Sequence, residues 1–123
     1  MSQPNVVKER RRELRVAARL QIELSLDPGQ PSESSSTINI STNGVYFTSK
    51  HHLEPLTKLG LRLLLPGEDT DGEPDALDVQ GVVVRVEPEE PSDDVDHYEV
   101  ACYFTDCSPE FRERLGRYVQ SNL

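Results

Sequence analysis

Between residues 14 and 26 every second side chain is apolar: Leu14, Val16, Ala18, Leu20, Ile22, Leu24 and Leu26. A period of two puts those side chains on one face of an extended chain, so the segment is a half-buried β-strand rather than a helix. The alternation returns over 98–105 through Tyr98, Val100, Cys102 and Phe104. Between them lie β-rich runs at 37–40, 44–49 and 59–65, and a valine-rich run at 77–86. Ser41-Thr42-Asn43 reads as the turn joining the second strand to the third, and Pro66-Gly67 ends the fourth. The stretches 27–36, 68–75 and 87–96 are loops by their proline, glycine, serine and acidic content.

After residue 105 the period changes. Phe111, Leu115, Tyr118 and Val119 recur at helical spacing, with Ser108 placed to cap and Pro109 in the first turn. Arg112, Arg114 and Arg117 fall in the C-terminal half, where they complement the helix dipole. The expected fold class is all-β with one C-terminal α-helix: a six-stranded antiparallel β-barrel over 15–105 and a helix over 109–120. Closure into a barrel removes the unpaired edges that an open sheet this small would expose. The expected organisation is a single domain over 9–120 preceded by a mobile segment at 1–8, since 123 residues suit one domain.

Charge is distributed unevenly. Residues 8–19 hold six basic and two acidic side chains, a balance of +4 that leaves −13 for the rest of a chain whose total is −9. An acidic body repels a nucleic-acid polymer, whereas one short basic arm suits a small, compact anion. The two cysteines, Cys102 and Cys107, make neither a disulfide scaffold nor a metal quartet. The polar, basic start is not that of a secretory leader, and no run nears the roughly 18 apolar residues of a membrane span. A cytoplasmic protein is expected.

Two segments carry binding chemistry. Arg10, Arg11, Arg12 and Arg15 present planar, permanently charged forks suited to phosphate oxygens and to the edge or face of guanine. Asn39, Ser41 and Gly44 lie between two strands, where Asn and Ser offer donors and acceptors, and Gly44 permits positive φ or close backbone approach to a ligand.

Taken together, Arg10-Arg11-x-x-x-Arg15 matches the RRxxxR motif and Asn39-x-Ser41-x-x-Gly44 the [DN]xSxxG motif of PilZ domains, in the right order and at a similar separation. Gly44 to Phe47, the Gly81 to Val86 strand and the final strand and helix also resemble that family, so the resemblance spans nearly the whole chain. It implies a receptor for the bacterial second messenger cyclic di-GMP. By that resemblance Arg10, Arg11 and Arg15 hold phosphate and guanine, and Asn39, Ser41 and Gly44 cradle the other guanine and its ribose. Asn39 stands where Asp is commoner, and Ala101 where many relatives have glycine.

No cofactor beyond that ligand is expected. His51 and His52 are adjacent, so in an extended segment they point apart and make a poor metal pair. Cys102 is on the apolar phase of its strand and reads as a core residue. No arrangement of His, Cys and carboxylates supports catalysis, so an enzyme is not expected. The expected partners are cyclic di-GMP and an unidentified downstream protein, with the arm ordering on ligand binding. The competing reading is a PilZ-type protein–protein interaction module with weak or no nucleotide binding.

Overall fold

The computed structural model describes residues 15–26, 32–68 and 72–123. Seven strands precede one helix: β1 (Val16–Ala17), β2 (Gln21–Ser25), β3 (Glu33–Ile40), β4 (Gly44–Ser49), β5 (Lys58–Leu65), β6 (Asp75–Glu87), β7 (Tyr98–Thr105) and α1 (Pro109–Ser121). All pairings are antiparallel, in the order β3-β2-β5-β6-β7-β4, and β4 pairs back onto β3 to close a six-stranded barrel. The short β1 is appended to the far end of β3.

The expected first strand is split in two, although its alternation survives. Val16, Leu20, Ile22 and Leu24 all enter the core, while Leu26, on the same phase but past the end of β2, is 56% exposed. Residues 18–20 leave the ladder because the buried Thr37 bridges them. Its hydroxyl donates to the Ala18 carbonyl at 2.5 Å and accepts from the Leu20 amide at 2.8 Å. A side chain thus replaces two backbone partners that a buried break would otherwise orphan.

β3 starts earlier than expected. Glu33 to Ser36, assigned by composition to a loop, form its first half and pair with β2 from Gln21↔Ser36 to Leu24↔Glu33. Serine is a weak strand former, but the apolar face of β2 requires a neighbour on this edge, and tertiary pairing overrides propensity. β6 likewise extends beyond the valine run at both ends, while β7 has the expected bounds.

The barrel interior is filled by Ile22, Ile40, Phe47, Leu59, Leu63, Leu65, Val83 and Val100, all essentially inaccessible to water. α1 begins as expected: the Ser108 hydroxyl accepts from the Phe111 amide at 3.0 Å, and Pro109 occupies the first turn. Phe111, Leu115 and Val119 face the core, and Phe111 meets Phe104 of β7 edge-to-face at 5.2 Å.

The arginines of α1 do not play the part expected of them. The last turn carries no basic residue, so they do not complement the dipole there. Arg114 lies on the buried face instead, donating to Asp75 Oδ2 at 2.8 Å and to the Pro66 carbonyl at 2.5 Å. Arg117 forms a fork onto Glu68 at 2.9 and 3.1 Å, holding that carboxyl below its ordinary pKa. The helix is fastened to the β5–β6 end of the barrel by charge as well as by apolar packing.

Candidate functional site

Two β-bulges determine what the outer surface shows. In β3 the register steps from Thr37↔Phe47 to Asn39↔Tyr46, so β3 spends one residue more than β4 and its phase flips. On strict alternation Asn39 would follow Thr37 into the core. With the bulge, Ile40 goes inward and Asn39 outward. β6 repeats the device: Val83↔Cys102 is followed by Arg85↔Ala101, Val84 being the extra residue. Val86 then enters the core, and Arg85 is exposed.

Both bulges deliver their polar residue to one cross-strand row. Asn39 pairs with Tyr46, Tyr46 with Ala101, and Ala101 with Arg85, across β3, β4, β7 and β6. The small Ala101 leaves a shallow floor between a phenol ring and a guanidinium. Tyr46 is braced from outside the row, its hydroxyl donating to Glu99 Oε1 at 3.2 Å, and its pKa is raised chiefly by burial and by that carboxylate. Sequence reading missed Tyr46 and Arg85 as site residues, because a valine run does not reveal the bulge that turns Arg85 outward, and Tyr46 joins the row only by pairing with Asn39 and with the distant Ala101.

Arg15 extends the row. Its Nη1 donates to Asn39 Oδ1 at 2.8 Å, joining two segments 24 residues apart in sequence. The other members of the arm, Arg10, Arg11 and Arg12, lie outside the described residues, as does the expected mobility of 1–8.

Ser41 and Gly44 make contacts within the fold that their sequence does not announce. Ser41 is fully buried, and its Oγ accepts from the Asn43 and Gly44 amides at 3.1 and 3.2 Å. With the Ser41 amide bonded to the Gly44 carbonyl at 2.9 Å, the hydroxyl fixes the turn that presents Asn39. Gly44 is not in the positive-φ region. It is glycine because a β-carbon there would fall on the Cys102 carbonyl oxygen of β7, and would lie 3.2 Å from Tyr103 Cδ1. The close approach is to a neighbouring strand.

His51 is exposed beside Glu33 at 3.7 Å; His52 is 2.7 Å from the Glu89 carbonyl and lies edge-on to Tyr98. Among the described residues no three His, Cys, Asp or Glu side chains are grouped to hold a metal ion. A groove of about 500 Å³ lies over Gly60 on the outer face of β2, β5 and β6, its rim carrying Glu23, Asp106 and the Arg62–Asp78 pair. It is separate from the row.

Burial pushes the Cys102 thiol up from 9.0 to about 12. A raised folded-state value stabilises the fold below pH 9 and loses that contribution as pH rises towards 12. Iodoacetamide at pH 8 is therefore expected to label the partly exposed Cys107 in the native protein and Cys102 only after unfolding. Mass spectrometry of native and urea-treated samples checks this.

The described structure is a closed antiparallel barrel with one helix packed on it and with Arg15 bonded to Asn39 of β3. The chain belongs to the PilZ domain family, whose model matches residues 9–121. No curated protein sequence matches it. Among solved structures, Bacillus subtilis inhibitor of motility (MotI/DgrA) superposes with a TM-score of 0.72 at 18% identity, over 91% of this chain and 50% of that one. The PilZ domain of Escherichia coli YcgR, solved with c-di-GMP, gives 0.66 at 14% identity over 92% and 91%. Borreliella burgdorferi PlzA in complex with c-di-GMP gives 0.57 at 10% identity over 95% and 54%. The chain thus spans about half the length of MotI and of PlzA.

Proposed function

We propose that this chain is a cyclic di-GMP receptor, a signalling adaptor rather than an enzyme, with Arg10, Arg11, Arg15, Asn39, Ser41 and Gly44 at its site. The observation that carries the reading is the 2.8 Å bond from Arg15 to Asn39, which joins one described residue of each family motif. Family membership and the two neighbours solved with c-di-GMP support the same ligand. The ligand's two phosphates would offset about half of the arm's +4 balance, and a guanine would lie over Ala101 between Tyr46 and Arg85. Ser41 and Gly44 would serve by holding the turn and letting β4 close against β7. Ordering of the arm on binding would make its position a signal.

Calorimetry with cyclic di-GMP, with GTP and GMP as controls, tests this. Binding is expected to weaken with salt, because guanidinium–phosphate pairs at an exposed site are screened. Arg15→Ala and Arg85→Ala are each expected to cost about 1.5–2 kcal/mol of binding, the lower part of the range for charge-assisted bonds. Far-UV circular dichroism of both variants should match the parent. Absence of binding heat at micromolar concentrations in low salt would favour the interaction-module reading.

A further inference from the structure

Around the Tyr46–Ala101–Arg85 row, the outer face of β4, β7 and β6 is ordered in further cross-strand rows. On one side stand Gly44, Tyr103 and Val82, none of them charged; on the other stand Thr48, Glu99 and Glu87. Glu99 alternates along β7 with the buried Tyr98 and Val100, and Glu87 follows the buried Val86, so both carboxylates lie on the outer face. The shallow floor over Ala101 thus has an uncharged flank and an acidic one.

Like charges directly opposite each other across a strand pair repel. Glu99↔Glu87 is such a pair, and among the described residues neither side chain forms an ion pair. Folding gains nothing from it. Glu99 is nevertheless held in place, its Oε1 accepting from the Tyr46 hydroxyl at 3.2 Å. Burial is the main cause of the raised Tyr46 pKa, but Glu99 and Glu87 add to it and Arg85 opposes them, so all three charged groups lie close to the phenol. A carboxylate has two oxygens and about four lone-pair positions, so the bond from Tyr46 leaves Glu99 able to accept two more.

We propose that Glu99 reads the Watson–Crick edge of a guanine lying over Ala101, accepting from its N1–H and its 2-amino group. On the receptor reading, on which this role rests, the base lies there. Guanine turns two neighbouring donors to a carboxylate, whereas adenine turns an acceptor, N1, beside a single donor. The group that pairs with one base therefore rejects the other. Because the ligand's phosphates are negative, an acid on this face weakens binding unless it meets a donor. The sign of its effect is diagnostic.

Calorimetry on the parent, Glu99→Gln and Glu87→Gln tests this, each with cyclic di-GMP and with cyclic di-IMP, whose bases lack the 2-amino group. The parent is expected to prefer cyclic di-GMP by about tenfold or more, as sites built to pair with a polar group reject its absence. In Glu99→Gln cyclic di-GMP binding should weaken by about tenfold and the preference should narrow by about fivefold or more. Glutamine keeps an oxygen for the Tyr46 hydroxyl and ends the Glu99–Glu87 repulsion, so this variant should melt no lower than the parent. Glu87→Gln removes the same charge without a base contact and should move the preference by less than about twofold, the screened effect of an exposed charge. The role is overturned if Glu99→Gln binds cyclic di-GMP as tightly as the parent or more tightly, if its preference matches the parent's, or if Glu87→Gln narrows the preference equally. A parent that binds, with an unmoved preference in Glu99→Gln, leaves the receptor reading standing and removes only the role of Glu99. A parent that gives no heat with cyclic di-GMP overturns both.

Discussion

Gly44→Val is expected to destabilise the fold by about 3 kcal/mol, at the upper end of what overpacking costs. Gly44 opens β4 and pairs with Tyr103, and its missing side chain is the space through which β7 passes. A β-carbon there meets the Cys102 carbonyl oxygen and lies 3.3 Å from Tyr103 Cα, both backbone atoms. Neither can rotate away as a side chain would, so relief requires β4 and β7 to separate at the Gly44↔Tyr103 and Val45↔Cys102 pairs. The melting temperature should fall by about 10 °C on the usual scaling for a domain near this size. On the proposed receptor reading, cyclic di-GMP binding should be lost along with it, because the Ser41 turn is bonded to Gly44 at both its amide and its carbonyl. Gly44→Ala should lie between the two. Calorimetric unfolding within 2 °C of the parent for the valine variant would show that the strands part more cheaply than this geometry allows.

Arg114→Ala is expected to cost about 2–3 kcal/mol, the range for hydrogen bonds to charged groups when one buried partner is removed. The guanidinium is 8% exposed and joins three separate points: Asp75 at the start of β6, the Pro66 carbonyl after β5, and Glu68 at 3.6 Å. Truncation leaves a carbonyl and a half-buried carboxylate without their donor and opens a void under the helix. Arg114→Lys keeps the charge but cannot span both acceptors, so it should recover less than half of the loss. Urea unfolding gives the magnitude, and hydrogen exchange in α1 should speed up before exchange in β7 does. Equal acceleration in both would mean that the helix and barrel unfold as one unit.

The alternations at 14–26 and 98–105 made the strands legible, and the helix was legible through its apolar face and its Ser108-Pro109 start. The motif order made a joint site of 10–15 and 39–44 an expectation, and the Arg15–Asn39 bond brings described members of both together. The chemistry of individual residues was harder to read. Ser41 and Gly44 belong to a turn and to a strand contact, and Arg114 belongs to the interior. For Gly44 and Arg114 the deciding neighbours, Cys102 on one side and Asp75 with Pro66 on the other, are far away in sequence.

A period of two is a local property, since each side chain's face depends only on the parity of its position along one strand. The sequence could therefore determine that there are strands, that they are half-buried, and that a single helix follows. Parity breaks only where one strand spends an extra residue against its partner, and that is a relation between two distant segments. The tertiary structure alone decided that Asn39 and Arg85 turn outward into one row, and that serines 34–36 become a strand against β2. The outward turn of Asn39 and Arg85 follows from the two bulges, where β3 and β6 each spend a residue that their neighbour in the closed ring lacks.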